Sequence, residues 1–258
     1  DAPLLLTGGD GLHPATAAEV RRLGARRAYL LGGSAALSDA VADGLRQAGV
    51  TEVVRVSGPD RAGTAAAVSG RLQATGHAFL ALGWGDTPAQ GWPDALAASA
   101  LAGTLTEPIL LTAASGLPEA TRRALADEAV ERVTIVGGTA AVPQAVEAEL
   151  ADMGIAVDRL AGPNRLATSL AAADAHVAAG AEPARVWLAQ AGNWPDALAA
   201  GPAAARTGQV LLLVDGQHPD SYPDTYAWLD EHGLESARVL GGPDVVRPTI
   251  LQRLNRSP

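Results

Sequence analysis

Short apolar runs alternate along the chain with longer segments in which apolar and polar residues recur at helical spacing. Ala78–Leu82, Val133–Val136 and Val210–Val214 are such runs, and they predict strands that are buried on both faces. The segments between runs, such as Ala62–Ala74, have the length of helices that connect parallel strands, about 10 to 15 residues. Because such connections are right-handed, we expect an α/β fold of tandem Rossmann-like units whose parallel sheets are flanked by helices.

The order of these elements repeats with a period of about 104 residues. The turn Ser57–Arg61 recurs as Ala161–Arg165, and Trp92–Ala98 recurs identically as Trp194–Ala200. A strand that ends in a Gly-Gly pair occurs three times. Internal repeats of this kind mark stacked structural units. The predicted boundaries are the back half of a first repeat at 1–50, a complete second repeat at 51–154 and a complete third repeat at 155–258.

The segment Asp94–Leu105 is apolar around almost its whole circumference. A helix without a polar face has to be buried on more than one side, and its many alanines allow another backbone to come close. We therefore expect helices of this type to pack on their own sheets and against neighbouring units. The units would then form one pseudo-symmetric cluster.

The first repeat begins at its third strand, which is predicted at Leu4–Thr7. This strand is expected to lie at an open sheet edge, where backbone groups are unpaired. Two explanations follow. Either an upstream segment of a three-unit protein covers the edge, or a partner chain completes the repeat. The second explanation would give the chain a structural or assembly role.

The composition excludes several kinds of site. The chain has neither Cys nor Lys, which rules out disulfides, thiolate metal sites and a phosphate-binding P-loop. The five His residues lack metal-ligand spacing, and no cofactor is predicted. A net charge of −9 argues against nucleic acid and acidic membranes as partners. No apolar run approaches the roughly 20 residues of a membrane span, and no signal-peptide pattern follows Asp1.

Four linked motifs carry a resemblance to a known family. They are Gly58–Ala65, Pro93–Ala97, Pro108–Thr112 and the strand with its Gly-Gly pair, Val133–Gly138. In this order they resemble the repeat of the cell wall-binding repeat 2 family of Gram-positive surface proteins. That repeat runs Gly-x-(Asp/Asn)-Arg-x-x-Thr-Ala, Pro-Asp-Ala-Leu-Ala, Pro-(Ile/Val)-Leu-Leu-Thr and an apolar strand ending in Gly-Gly. The resemblance covers essentially the whole chain.

The resemblance implies a secreted, nonenzymatic module that attaches noncovalently to the cell wall. Its ligand would be an anionic secondary wall polymer or glycan, such as a teichoic acid, and the chain would be the anchoring module alone. The sequence departs from the family pattern at Ser169, Gln209 and Val214, where the pattern has Ala, Pro and Thr. The incomplete first repeat is a larger departure, because the family usually carries three units in tandem.

Arg61 and Arg165 recur just before predicted helices. A helix N-terminus and a guanidinium together suit a phosphate or carboxylate ligand. The alternative is structural, with each Arg paired to a carboxylate of its own unit, Asp94 or Asp196.

The remaining candidate ligand-binding residues also have structural alternatives. Thr64 and Thr168 suit either a ligand or helix capping, while Asp94 and Asp196 near helix starts complement the helix dipole. Trp92 and Trp194 lie at the carboxyl ends of predicted strands, where open α/β sheets bind ligands. Their indole rings suit stacking on sugars, and they equally suit packing between the start of a helix and the sheet.

An enzyme acting on wall glycans is a further hypothesis. Glycoside hydrolysis needs two convergent carboxylates about 5 to 10 Å apart. Asp94 and Asp196 belong to different units, and nothing in the sequence indicates that they converge.

Overall fold

The computed structural model describes residues 2–85 and 92–254, whose strands form three parallel sheets. The strands are β1 (Arg27–Leu31), β2 (Glu52–Val56), β3 (His77–Trp84), β4 (Ile109–Ala113), β5 (Arg132–Val136), β6 (Ala156–Leu160), β7 (Glu182–Gln190), β8 (Gln209–Val214) and β9 (Ser236–Leu240). The α-helices are α1 (Pro14–Leu23), α2 (Asp39–Gln47), α3 (Arg61–Ser69), α4 (Pro93–Leu105), α5 (Glu119–Asp127), α6 (Gln144–Asp152), α7 (Arg165–Ala178), α8 (Trp194–Thr207), α9 (Pro223–Glu231) and α10 (Pro248–Leu254). Within these described ranges, no helix combines the length and apolar character that crossing a bilayer requires.

The strand orders are β1-β2 in the first sheet, β4-β3-β5-β6 in the second and β8-β7-β9 in the third. Neighbouring strands are parallel in each sheet, and helices connect them along the chain. The predicted α/β fold of tandem units with parallel sheets and flanking helices is confirmed.

The second sheet is built around β3, which is apolar along most of its length. Leu80 of β3 is in register with Leu110 of β4 on one side and Ile135 of β5 on the other. All three side chains are fully buried, and Val146 and Leu150 of α6 join the same cluster. Full burial of one such side chain contributes about 1.5–3 kcal/mol relative to exposure. Burial of these side chains therefore holds the neighbouring strands and helix α6 against the central strand β3.

The sheets are offset by one strand from the sequence repeats. β2 opens the second repeat yet pairs with β1 of the first, and β6 opens the third repeat yet pairs with β5 of the second. Helices α3 and α7 then carry the chain to the next sheet, where they pack on β4 and β8. Each sheet that is followed by another repeat thus receives its outer strand from that repeat.

Helix α4 packs between the second and third units, against α7 and α8. The contact uses small residues at equivalent positions of the repeat. A Cβ built on Gly201 would lie 2.7 Å from the Cβ of Ser99, and one built on Gly103 would lie 2.7 Å from the Cβ of Ala205. The apolar circumference of α4 is therefore explained by packing on its own sheet and on the neighbouring unit, as the sequence predicts.

The predicted strand at Leu4–Thr7 is wrong, because these residues form no strand. In the second unit the equivalent strand, β4, pairs with β3 alone as far as the described residues show. No strand of the β3 type lies beside residues 4–7 in the described part of the chain. The segment is instead held by side chains, with Thr7 Oγ1 accepting from the His13 N–H at 2.8 Å and Thr16 Oγ1 donating to the Leu6 carbonyl.

The helix contact predicts that Gly201→Ser lowers the free energy of unfolding by about 1–3 kcal/mol, the usual cost of overpacking. The exchanged variant Ser99→Gly with Gly201→Ser keeps the pair of side chains and should recover at least half of that loss. Urea denaturation measures both. Gly70→Ser is the control, because a Cβ there would meet its nearest atom at 3.7 Å and should change stability by less than about 0.5 kcal/mol. Equal losses in the single and exchanged variants would contradict the close contact.

Candidate functional site

In the Gly-Pro-Asp-Arg turn, residues 58–61, the backbone of Gly58 lies very close to the backbone of helix α3. A Cβ on Gly58 would lie 2.2 Å from the carbonyl carbon of Gly63 in the first turn of α3. Asp60 is the N-cap of α3, and its side chain accepts from the Gly63 N–H at 2.7 Å. The hydroxyl of Thr64 accepts from the Gly58 N–H at 3.1 Å, which closes the turn. The recurrence of the glycine, of an Asx residue two positions later and of the threonine therefore follows from the local geometry.

The third repeat builds the same turn with Asn164 in place of the aspartate. Its side chain accepts from the N–H groups of Leu166 and Ala167, and the hydroxyl of Thr168 accepts from the Gly162 N–H at 3.2 Å. Helix capping by Thr64 and Thr168 was one of the two expected roles, and it is wrong. The N-cap is the Asx residue, because it directly precedes the helix and its side-chain oxygen reaches the free N–H groups of the first turn.

Arg61 and Arg165 are the first residues of α3 and α7. Arg61 Nη1 donates to the Gly83 carbonyl at 2.6 Å, and Arg165 Nη1 donates to the Ala191 carbonyl at 3.0 Å. These carbonyls lie near the carboxyl ends of β3 and β7. Each guanidinium therefore ties its turn to the central strand of the sheet that follows.

Arg165 also reaches the preceding unit. Its guanidinium carbon lies 5.8 Å from the ring centroid of Trp92, within the range of a cation–π contact, and its charge acts on Asp94. The expected pairing of each Arg with a carboxylate of its own unit is thus corrected for Arg165, whose carboxylate neighbour belongs to the other unit. Arg61 lies over Trp84 instead, at 5.6 Å.

Asp94 is the second residue of α4 and lies against the Gly-Gly turn of its own unit. A Cβ on Gly137 would come within 2.5 Å of Asp94 Oδ2, and Gly137 has a φ of 116°, which favours glycine. Burial raises the pKa of Asp94 from 3.8 to about 6, and the charge of Arg165 opposes part of that rise. The carboxylate is therefore held in a poorly solvated position at the boundary between two units.

Asp196 and Trp194 occupy the equivalent places in the third unit. Asp196 faces Gly241, where a Cβ would lie 3.0 Å from its Oδ2. Trp194 is the first residue of α8 and is 44% exposed, whereas Trp92 is half-buried and packs against the apolar cluster between the units. The structure thus brings together Arg165, Trp92 and Asp94, which we call the inter-unit site. The other candidates lie apart from it, in their own turns and helix starts.

Two arginines that the sequence reasoning missed support the Gly-Gly turns. Arg159 Nη1 donates to the Gly137 carbonyl at 2.5 Å and its Nη2 donates to the Val142 carbonyl at 3.0 Å. Arg55, 104 residues earlier, makes the equivalent bonds to Gly32 and Leu37. The sequence repeat itself identifies them, since each lies three residues before the glycine of a Gly-Pro-(Asp/Asn)-Arg turn, Gly58 or Gly162.

The inter-unit site combines a cation, an indole face and a carboxylate, a set that suits sugars and anions. Asp94 and Asp196 each face the Gly-Gly turn of their own unit. No group of three or more metal-ligating side chains occurs among the residues that the structure describes. A cavity of about 360 Å³ lies elsewhere, between α2 and the first sheet, and none of the candidate residues lines it.

Because the pKa of Asp94 is raised, its ionised form should lower the free energy of unfolding, and this effect should depend on pH. Because the folded state binds this proton more tightly than the unfolded state, the contribution of Asp94 to stability falls as pH rises from about 4 to about 6. Asp94→Asn should therefore gain stability relative to the wild type between pH 4 and pH 7, by up to about 3 kcal/mol.

Urea denaturation at several pH values measures this difference. Glu231→Gln, at an exposed position of α9, controls for the loss of one surface charge. A stability difference between Asp94→Asn and the wild type that stays constant with pH would contradict a poorly solvated carboxylate.

Comparison with known proteins places the chain among wall-binding modules. The sequence profile of cell wall binding domain 2 (CWB2) matches residues 55–147 and 159–251. N-acetylmuramoyl-L-alanine amidase LytC of Bacillus subtilis (strain 168) is 29% identical over 202 residues, which is 78% of this chain and 38% of that protein.

Two solved structures share the fold. Cwp6 from Clostridium difficile has a TM-score of 0.82 at 23% identity, covering 93% of this chain and 38% of that one. Cwp8 from the same organism has a TM-score of 0.77 at 25% identity, covering 99% of this chain and 43% of that one. The chain therefore spans about two fifths of the length of each of these three relatives. Since the family profile matches two adjacent stretches that together make up more than half of the sequence, the chain belongs to the cell wall binding domain 2 family.

Proposed function

We propose that the chain is a nonenzymatic anchoring module that binds an anionic polymer of the cell wall without a covalent bond. Membership of the CWB2 family gives it a general function in cell wall binding and an association with the wall. We further propose that the polymer is anionic, that the residues described below hold it and that the chain is secreted.

The observation that carries the proposal is the inter-unit site, where Arg165 lies over Trp92 and its charge acts on Asp94. A guanidinium has five N–H donors, and within the described ranges one bond, to the Ala191 carbonyl, fixes its position. The other donors suit a phosphate or carboxylate of the polymer. The indole beside it offers an apolar face to a sugar ring, and the Asp94 carboxylate can accept from sugar hydroxyls.

The overall charge makes a local cation necessary. A chain with a net charge of −9 repels an anionic polymer at long range, so attraction has to come from individual arginines at short range. Arg61 over Trp84 forms a second cation–indole pair. These two pairs, one at each Gly-Pro turn, would allow two points of attachment to a repetitive polymer, which strengthens binding by raising the effective concentration. A third pair, Arg238 over Trp187, lies on the strands of the third sheet.

A hydrolytic function is not supported by the arrangement of the acidic residues. The B. subtilis relative is named an amidase, but this chain matches 38% of its length. We infer that what the two proteins share is attachment to the wall. In this chain the repeated carboxylates each face a Gly-Gly turn of their own unit, where they serve geometry rather than a shared reaction centre.

Retention on purified cell walls tests the ligand class. Walls from which the acid-extractable polymers have been removed should retain at least tenfold less protein than untreated walls. Bound protein should also be released by salt, because exposed ion pairs are screened. Equal retention on both preparations would rule out an anionic secondary polymer as the ligand.

The role of the inter-unit site has its own test. Arg165→Ala should lower wall affinity about tenfold, corresponding to about 1.4 kcal/mol, and Arg165→Lys should recover only part of it, since lysine lacks the planar fork. Arg123→Ala, at an exposed position that pairs with Glu119, is the charge-matched control and should bind like the wild type. Melting temperatures measured in parallel separate lost binding from lost folding. Wild-type affinity in a folded Arg165→Ala variant would show that the polymer does not bind at the inter-unit site.

A further inference from the structure

The cavity between α2 and the first sheet is large enough for a small ligand. Its volume of about 360 Å³ falls within the range of small-molecule sites, about 300–1,000 Å³. Leu30 of β1, Ala42 of α2 and Val53 of β2 form its apolar wall, and two arginines and two aspartates complete the lining. An apolar wall with a few charged groups is the usual composition of a ligand site.

In the second unit, a carboxylate occupies the corresponding place. Glu147 of α6 accepts from Arg159 Nε at 2.8 Å and also from its Nη2. The same guanidinium donates to the carbonyls of Gly137 and Val142. Arg159 is thus held by the backbone of the Gly-Gly turn on one side and by a carboxylate of its neighbouring helix on the other.

Ala42 takes the position of Glu147 in the first unit. Both lie nine residues after the second glycine of their Gly-Gly pair, Gly33 and Gly138. An alanine side chain is shorter than a glutamate side chain by the CH₂ and carboxylate groups. The comparison uses elements that both units contain, α2 with α6, β1 with β5 and β2 with β6. The cavity therefore lies where the first unit lacks this carboxylate.

Arg55, the counterpart of Arg159, faces this cavity. It keeps its bonds to the turn, donating to the carbonyls of Gly32 and Leu37 at 2.9 and 2.8 Å. Within the described ranges, its one bond to a carboxylate is to Asp39 at 3.3 Å. The Asp39 side chain is 89% exposed, whereas that of Arg55 is 25% exposed. The Arg55 guanidinium is therefore fixed, mostly buried and able to donate to a further acceptor.

The other charged groups of the cavity limit the kind of anion that fits. Arg46 donates to Asp43 at 2.7 Å, and both side chains are more than half exposed. With Arg55 and Asp39, the lining holds two positive and two negative charges. Such a balance disfavours a dianion, which both aspartates repel, more than a single carboxylate. Carboxylates at the rim can also accept hydrogen bonds from hydroxyl groups of a ligand.

We propose that this cavity binds a sugar acid, a single sugar ring that carries one carboxylate. The ligand carboxylate accepts from Arg55, in the place that Glu147 takes beside Arg159. The ring lies against the apolar wall, and its hydroxyl groups donate to Asp39 and Asp43. This site goes beyond the proposed wall anchoring, because it shares no residue with the inter-unit site.

Titration of the isotope-labelled full chain with D-glucuronate, followed by NMR, tests the proposal. The largest shifts should occur at the amides of Leu30, Ala42 and Arg55, with a dissociation constant on the order of 1 mM or tighter. D-glucose lacks the carboxylate and D-glucose 6-phosphate carries a dianion. Each should bind at least about tenfold more weakly than glucuronate, a difference of about 1.4 kcal/mol.

Ala42→Glu gives the first unit the carboxylate of the second. Because the new side chain would take the Arg55 guanidinium, it should lower glucuronate affinity at least about tenfold. Ala40→Glu, at an exposed position of the same helix, is the matched control and should bind like the wild type. Should Ala42→Glu not fold, the series of three ligands on the wild-type chain still decides.

Several outcomes would overturn the proposal. They are the absence of glucuronate binding, equal affinity for glucuronate and glucose, tighter binding of the phosphate, and wild-type affinity in a folded Ala42→Glu variant. Shifts confined to residues outside the cavity would also contradict it. Arg165→Ala should bind glucuronate like the wild type, so failure of this site and failure of wall anchoring are distinguishable.

Discussion

The close approach of α4 and α8 is the contact on which the arrangement of the second and third units depends. Two helices can pack this tightly only where side chains are small, and the repeat provides Ser99 opposite Gly201 and Gly103 opposite Ala205. The same helix α4 carries Trp92 and Asp94 at its N-terminal end, so its packing also sets where these side chains meet Arg165. A packing requirement and a candidate binding site are thus joined in one helix.

Much of the fold could be predicted because its signals are local. The run Ile109–Thr112 indicates a strand and the structure has β4 at Ile109–Ala113, since an apolar run between helices specifies a buried strand by itself. Leu4–Thr7 has a similar pattern and forms no strand, because a strand also needs a partner, which no local pattern supplies. The helix predicted to reach Ala74 ends at Ser69, where Gly70 follows and weakens its continuation.

The candidate site was less predictable for a physical reason. The repeat identifies Arg165 and Asp94 as recurring residues, but the partner of a long, flexible Arg side chain depends on how units are placed in three dimensions. The sequence predicts pairing within a unit, whereas the charge of Arg165 acts on Asp94 of the preceding unit. Arg159 could have been found from the sequence, since Arg55 precedes it by one repeat period. Its role as a support for the Gly-Gly turn required the hydrogen bonds themselves.

The offset between sequence repeats and sheets makes neighbouring units depend on each other. Because β6 belongs to the third repeat and completes the second sheet, unfolding of the third repeat near its start would remove an outer strand, the Arg159 contacts and the cover on β5. In repeat proteins, coupling of this kind between neighbours makes stability rise with the number of stacked units. An exchanged strand couples units more strongly than a packed surface alone, since backbone hydrogen bonds are lost with it. The candidate binding residues at the boundary between units are therefore positioned by two kinds of contact, the small-residue helix packing on one side and the shared sheet on the other.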